Sequence, residues 1–244
     1  MGEFRGFNPT IPDVLPHEKM YNLQIGDKLF VLSGASLSSD APSYFTNYFL
    51  ERTEDKPLFI DRSPQSFQYI YNHLQGYHSE IPNGDIFTKV YSDSIYYNLP
   101  RLKELLSKDE YYYVEVMNEC IKVPKVVLRS EGNFPNFFNI TFEALYRDLS
   151  ELMISRKLIR PPPQAAPQLN RDAGLLKDLI KLLQGVELEM TNDYKKVLRK
   201  EARYYRFNAL VEKLSYVKII KNPIILEESI IVNYNDVAYK NFTI

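Results

Sequence analysis

Hydrophobic and polar positions alternate at the start of the chain and then recur at helical spacing. Between Tyr21 and Leu32, Leu23 and Ile25 alternate with polar residues up to Gly26-Asp27, and Leu29 and Val31 alternate beyond it. That is the pattern of a β-hairpin closed by a glycine-containing turn. Ser36 to Ser39 offer capping hydroxyls ahead of Pro42, Tyr44, Phe45, Tyr48 and Phe49, whose three- and four-residue spacing predicts a helix over 41–50. A charged loop, Glu51 to Lys56, leads to a short buried strand, Leu58-Phe59-Ile60. Ser63-Pro64 opens the next helix, where proline is tolerated in the first turn. Phe67, Ile70, Tyr71 and Leu74 share one of its faces, and Gly76 stops it. Two more helices, 86–97 and 99–106, flank the break at Asn98-Leu99-Pro100.

The second half of the chain repeats part of this order. Placing Gly185 on Gly76, an offset of 109 residues (185 less 76), sets Leu169-Asn170-Arg171 on Ile60-Asp61-Arg62, and Leu176 and Leu179 on Phe67 and Ile70. After a slip of one residue Tyr204-Tyr205 falls on Tyr96-Tyr97, Leu210 on Leu102 and Leu214 on Leu106. A diverged internal duplication is the expectation. In it Ile121 to Leu128 stand for the opening strands and Phe142 to Met153 for the first helix. A stiff, proline-rich surface loop, 160–168, precedes the Asn-Arg strand; its Pro163 and Pro167 lie four apart, where a groove-binding proline motif needs three. From Tyr216 onward the apolar runs Val217–Ile220, Ile224–Leu226, Ile230–Val232 and Val237–Tyr239 predict an antiparallel β meander. Residues 1–19 carry Pro9, Pro12 and Pro16 with no hydrophobic period, and predict a poorly ordered lead-in. The expected division is therefore 1–19, 20–110, 111–216 and 217–244.

Composition narrows the classes. The 244 residues are 45% hydrophobic and 25% charged, enough apolar surface to bury a core. Thirty basic and thirty-one acidic residues leave a net charge of -1, so no long-range field draws the chain to nucleic acid or an anionic membrane. A lone Cys120 excludes an internal disulfide and suits a reducing compartment, which makes the cytoplasm the default, with the nucleus open. No apolar run approaches a membrane span. Nineteen tyrosines, with no tryptophan, fill half-buried positions or sit in subunit contacts.

Chemistry is hard to find. His17, His73 and His78 have only Glu80 and Asp85 as close carboxylates, which falls short of a metal site. Cys120 has no dedicated base beside it, Ser33-Gly34-Ala35-Ser36 lacks an activating histidine–carboxylate pair, and no phosphate-cradling glycine loop occurs. Neither an enzyme nor a cofactor is expected. The one charge cluster, Lys195, Lys196, Arg199, Lys200, Arg203 and Arg206, forms a broad helical stripe. A solvated helix face, tempered by Asp193, Glu201 and Glu212, is a better account of it than a nucleic-acid or acidic-partner site.

Taken together, these segments resemble a BTB/POZ domain of the potassium-channel tetramerisation (KCTD) type. The opening Leu23-Gln24-Ile25-Gly26-Asp27 with Phe30 matches the family's first strands, with Asp27 in place of a second glycine. Phe59-Ile60-Asp61-Arg62-Ser63 matches its Phe-Ile-Asp-Arg-Asp motif apart from the last residue. Phe67, Ile70, Leu74 and Gly76 answer to the following helix, and Glu201-Ala202-Arg203-Tyr204-Tyr205 to its late acidic-alanine and tyrosine segment. The resemblance implies an α+β fold, a small sheet flanked by helices, here followed by a diverged BTB-like repeat and the C-terminal meander. Such a chain is similar to fungal BTB proteins.

The resemblance implies an assembly module rather than an enzyme. Phe59, Asp61, Arg62 and Tyr77 are the protein-interface candidates, with a local ion pair or helix cap as the alternative for Asp61 and Arg62. The family's rings of four or five are expected to give way to a monomer or dimer if the second repeat covers one ring edge. The implied partners are a cullin, in a substrate adaptor of a cullin-RING ubiquitin ligase, or a phosphatase anchored in stress or nutrient signalling. Self-association stays open, no membrane is implied, and nucleic acid is the weakest of the partner readings.

Overall fold

The computed structural model describes residues 10–52, 56–155, 167–215, 218–221, 224 and 228–231. Among them the chain is α+β, with small sheets and ten helices. Strands β1 (Met20–Ile25) and β2 (Lys28–Ser33) pair antiparallel around Gly26, whose φ of +54° is the left-handed region that a residue without Cβ enters freely. β3 (Leu58–Ile60) joins β1 in parallel, giving the order β2-β1-β3. Alternation puts Tyr21, Leu23 and Ile25 of β1 in the core and leaves Met20 and Asn22 exposed.

Helices α1 (Gly34–Ser38), α2 (Tyr44–Glu51), α3 (Pro64–Leu74), α4 (Gly84–Tyr96) and α5 (Pro100–Ser107) complete this first set. The helix predicted over 41–50 starts at Tyr44 because Ser43 and Thr46 form a reciprocal capping box there. Ser63 caps α3 with Pro64 in its first turn, and Asn83 caps α4. Phe45, Phe67 and Tyr97 are fully buried in its core, with Phe45 and Tyr97 ring centroids 4.8 Å apart. Each such side chain contributes about 1.5–3 kcal/mol by leaving water.

The lead-in is not loose throughout. Leu15 is buried, its N–H donates to Ser38 Oγ at 3.0 Å, and the Gly34 N–H donates to Lys19 O. Of the described residues of this proline-rich stretch Leu15 alone is buried, in a pocket that no sequence period announces.

A second succession follows in the same order. β4 (Tyr111–Val116), β5 (Glu119–Pro124) and β6 (Gln168–Leu169) form a sheet of order β5-β4-β6, with α6 (Lys125–Leu128), α7 (Phe137–Ser155), α8 (Ala173–Leu183), α9 (Asn192–Tyr204) and α10 (Asn208–Lys213). Its opening strands therefore lie ten residues earlier than the expected start at Ile121, and Lys125–Leu128 is helical. The turn between them, Met117-Asn118, holds both residues at positive φ without a glycine to signal it. α7 begins at Phe137 rather than Phe142, with the Asn136 side chain accepting from the N–H groups of Phe138 and Asn139.

The chain divides into two compact units, Met1–Val123 with Ala144–Asn170, and Pro124–Glu143 with Arg171–Ile244. In the first, β4 lies against α4: Tyr113 is buried and its ring stacks on Phe87 at 5.1 Å, while Tyr146 meets Tyr91 at 4.9 Å. In the second, Phe138 stacks on Tyr205 at 5.2 Å and Tyr205 on Phe207 at 5.8 Å.

At the C-terminus β7 (Lys218–Lys221) and β8 (Glu228–Ile231) pair antiparallel. Ile224 lies in a turn between them, so the strand expected from Ile224 does not start there. The last expected strand, Val237 to Tyr239, and most of the proline-rich loop, 160–166, fall outside the described residues.

Candidate interaction surface

The four interface candidates of the first set separate in space. Phe59, at the centre of β3, points outward and is 65% exposed; Tyr77, just past α3, is 68% exposed; Asp61 is also exposed. Arg62 turns inward instead. The backbone after Ile60 bends back, Arg62 N–H donating to Ile60 O at 3.0 Å, and this carries the guanidinium toward α4. There Arg62 Nη1 stands 3.3 Å from Asp93 Oδ1 and the guanidinium covers the Tyr96 ring at 4.3 Å. Burial pushes the Asp93 carboxyl up to about 6, against the opposing pull of Arg62. Tyr97 beside it is raised by burial and by the Asp93 charge. Among the described residues the buried Arg62 Nη2 and Tyr97 hydroxyl have no hydrogen-bond partner.

The second set builds the corresponding pair with a longer acid. Arg171 Nε donates to Glu201 Oε1 at 2.9 Å, its Nη2 donates to Oε2, and the guanidinium covers Tyr204 at 4.2 Å. One more methylene turns a single contact into a bidentate one. Tyr44 N–H donates to Tyr97 O in the first set, and Phe137 N–H to Tyr205 O in the second.

A buried anchor escaped sequence reading. Asp40, fully buried, accepts from His73 Nε2 at 2.9 Å and from the Arg101 and Leu102 N–H groups at 2.8 and 3.0 Å, at the start of α5. Burial alone raises this carboxyl, but the His73 and backbone donors outweigh it and hold it below its ordinary value. Beside His73 opens a groove of about 610 Å³ lined by Tyr69, Tyr77, Leu105, Tyr111 and Lys122 among others.

The basic stripe lies on and just after α9. Lys196, Lys200, Arg203 and Arg206 are exposed, Lys195 and Arg199 are half-buried, and Lys196 pairs with Asp193 at 3.0 Å. Among the described residues no three His, Cys, Asp or Glu side chains cluster to hold a metal, and no helix is long and apolar enough to cross a membrane.

The exposed apolar residues of the first sheet gather on one face. Met20, Leu29 and Phe59, each at least half exposed, come from three strands, with Gln24 between Leu29 and Phe59 by register.

No family model matches the chain. It is 42% identical over 253 residues to Uncharacterized protein YDR132C of Saccharomyces cerevisiae, a match covering 97% of this chain and 51% of that protein. It is 35% identical over 235 residues to BTB/POZ domain-containing protein YLR108C of the same yeast, covering 96% of this chain and 48% of the relative. The chain thus spans about half the length of the curated relatives it matches.

Proposed function

We propose that this chain, for which the yeast relative's name supports a BTB/POZ domain, is a non-catalytic protein-interaction scaffold of the KCTD type. In this reading β4 to α10 are a diverged second copy of β1 to α5, a view supported by the matching order, strand pairing and Arg–acid–tyrosine groups. The scaffold serves as an adaptor, with a cullin-RING ubiquitin ligase as the first candidate assembly.

The observation that carries the reading is a division of labour. The contacts of the buried carboxylates (Arg62–Asp93, Arg171–Glu201 and Asp40–His73) join elements inside the fold. The apolar residues Met20, Leu29 and Phe59 are instead displayed on one face of the first sheet, with Asn22 and Gln24 between them. Exposed apolar side chains gathered on a rigid sheet are a feature of docking surfaces. The test is affinity purification of the tagged full chain from a fungal extract at native levels, with quantitative mass spectrometry. Stoichiometric recovery of a cullin supports the adaptor; recovery of a phosphatase without a ligase moves the assignment to an anchoring subunit. Recovery of no protein above background defeats the scaffold reading.

A further inference from the structure

Helices α3 and α8 begin at corresponding places, 109 residues apart (172 less 63), but with different capping groups. Both run eleven residues, and each cap directly follows an arginine, Arg62 or Arg171. The cap of α8 is Asp172, whose Oδ1 accepts from the Leu175 N–H at 2.8 Å. The cap of α3 is Ser63, whose Oγ accepts from the Ser66 N–H at 3.4 Å, the long edge of a hydrogen bond. The same N–H position therefore holds a carboxylate in α8 and a neutral hydroxyl in α3.

That hydroxyl is placed for chemistry from outside. Ser63 is exposed, its backbone is extended (φ -68°, ψ 119°), and its Oγ donates to the Gln65 side chain at 2.9 Å. Of the fifteen prolines in the chain, Pro64 alone follows a serine or threonine. A protein kinase takes its acceptor from extended backbone, and a groove with no partner for the next N–H selects proline there. Loosening the first turn of α3 is enough to extend the residues beyond Pro64.

We infer that Ser63 is the acceptor of a proline-directed protein kinase, and that its phosphate anchors the start of α3 as the Asp172 carboxylate anchors that of α8. In the transfer Ser63 Oγ forms a bond to the γ-phosphorus of ATP, the bond to the leaving ADP oxygen breaks, and the hydroxyl proton passes to the kinase's carboxylate base. The product carries nearly two negative charges and three acceptor oxygens at a helix N-terminus, where an anion is favoured. Lys28 adds to the attraction: it lines one groove with Pro64, Gln65 and Gln68, its Nζ donating to Gln68 Oε1 at 2.8 Å. Asp27, in the same groove, and Asp61, two residues before Ser63, oppose it. The N–H groups win because the phosphate hangs on the very atom that already accepts from Ser66. This inference goes beyond the scaffold reading and does not depend on it.

The full, folded chain is incubated with a proline-directed kinase and ATP, mapped by tandem mass spectrometry and melted at low salt. One phosphate on Ser63 is expected, absent from Ser63→Ala and formed at least about tenfold more slowly on Pro64→Ala, which keeps the hydroxyl. The melting temperature should rise by about 2–4 °C on phosphorylation and fall by about as much in Ser63→Ala. The same phosphopeptide is expected from the chain isolated from fungal cells under phosphatase inhibition. Modification only of heat-unfolded chain, modification that ignores Pro64→Ala, or no Ser63 phosphate on the cellular chain overturns the inference. A melting temperature lowered by the phosphate overturns the anchoring role, since Asp27 and Asp61 then outweigh the helix N-terminus.

Discussion

Arg62 reaches Asp93 at 3.3 Å inside its own chain, and the carboxylate it meets is almost fully buried. A single ion contact does not offset the loss of water, so burial holds the Asp93 carboxyl up at about 6, above its ordinary 3.8. The folded state therefore binds a proton that the unfolded chain has already released. The associated stability is fully present below about pH 4 and is lost as pH rises through about 6. Relative to Asp93→Asn, the wild-type chain should lose up to about 3 kcal/mol between pH 4 and pH 6.5 and run parallel above that. Urea denaturation of both proteins across this range measures the difference directly; a flat difference curve would show that Asp93 titrates normally.

Asp40 behaves in the opposite sense. Its carboxyl is held low because His73 and two N–H groups of α5 donate to the ionised form, outweighing burial. This stability is present at neutral pH and is lost as pH falls through the lowered folded value. Asp40→Asn should cost about 2–4 kcal/mol at pH 7, because it unpairs donors at a buried helix start. The penalty should shrink as pH falls below the ordinary 3.8 and through the lowered folded value, where the wild-type group protonates as well. Thermal melts of the two proteins in an acid series below the ordinary 3.8, set against pH 7, give the comparison.

How much was legible follows from the range of each signal. β1, β3 and α3 declared themselves because alternation, Gly26, Ser63-Pro64 and Gly76 are all local. β2 was placed but read on the wrong face: Phe30 and Leu32 are the buried pair, and Leu29, taken into the alternation with Val31, is half exposed. The β4–β5 hairpin did not. Tyr112, Tyr113 and Val114 are buried in succession, which erases the period of two, and Met117-Asn118 turns the chain without glycine. The Asp-Arg motif marked Arg62 as special, but its partner lies 31 residues on, and the periodicity of α4 gave no sign that Asp93 faces inward. His73 and Asp40 are 33 residues apart, so their pairing carried no sequence pattern at all. The exposed face of Met20, Leu29 and Phe59 required register, which no single strand contains.

Gly34 is fixed by close approach rather than by its dihedral angles. A Cβ there would meet Pro16 O at 2.0 Å and Pro16 C at 2.7 Å, both backbone atoms that cannot rotate away. Gly34→Ala should expel the packed part of the lead-in, exposing Leu15 and breaking its hydrogen bond to Ser38. A loss of about 2–4 kcal/mol is expected, together with faster proteolysis near residues 10–19. Limited trypsin digestion, which can cut at Lys19, checks the second effect; unchanged digestion would mean the backbone gives way elsewhere.

The stack of Phe87 on Tyr113 ties α4 to the second sheet, and its strength is measurable apart from burial. The rings are 5.1 Å apart with planes 27° from parallel, and Tyr113 is 3% exposed. Phe87→Ala and Tyr113→Ala should each cost about 3–4 kcal/mol through lost area and the cavity left behind. The double variant should cost less than their sum by about 1 kcal/mol, the coupling expected of an aromatic pair. The Lys122–Glu80 pair beside it has an exposed acid screened by water, so removing it should change stability little, and less still as salt rises. Urea denaturation of the four proteins in the aromatic cycle, at low and high salt, separates the two contributions. Strict additivity of the aromatic substitutions would show that the rings share a core without interacting as a pair.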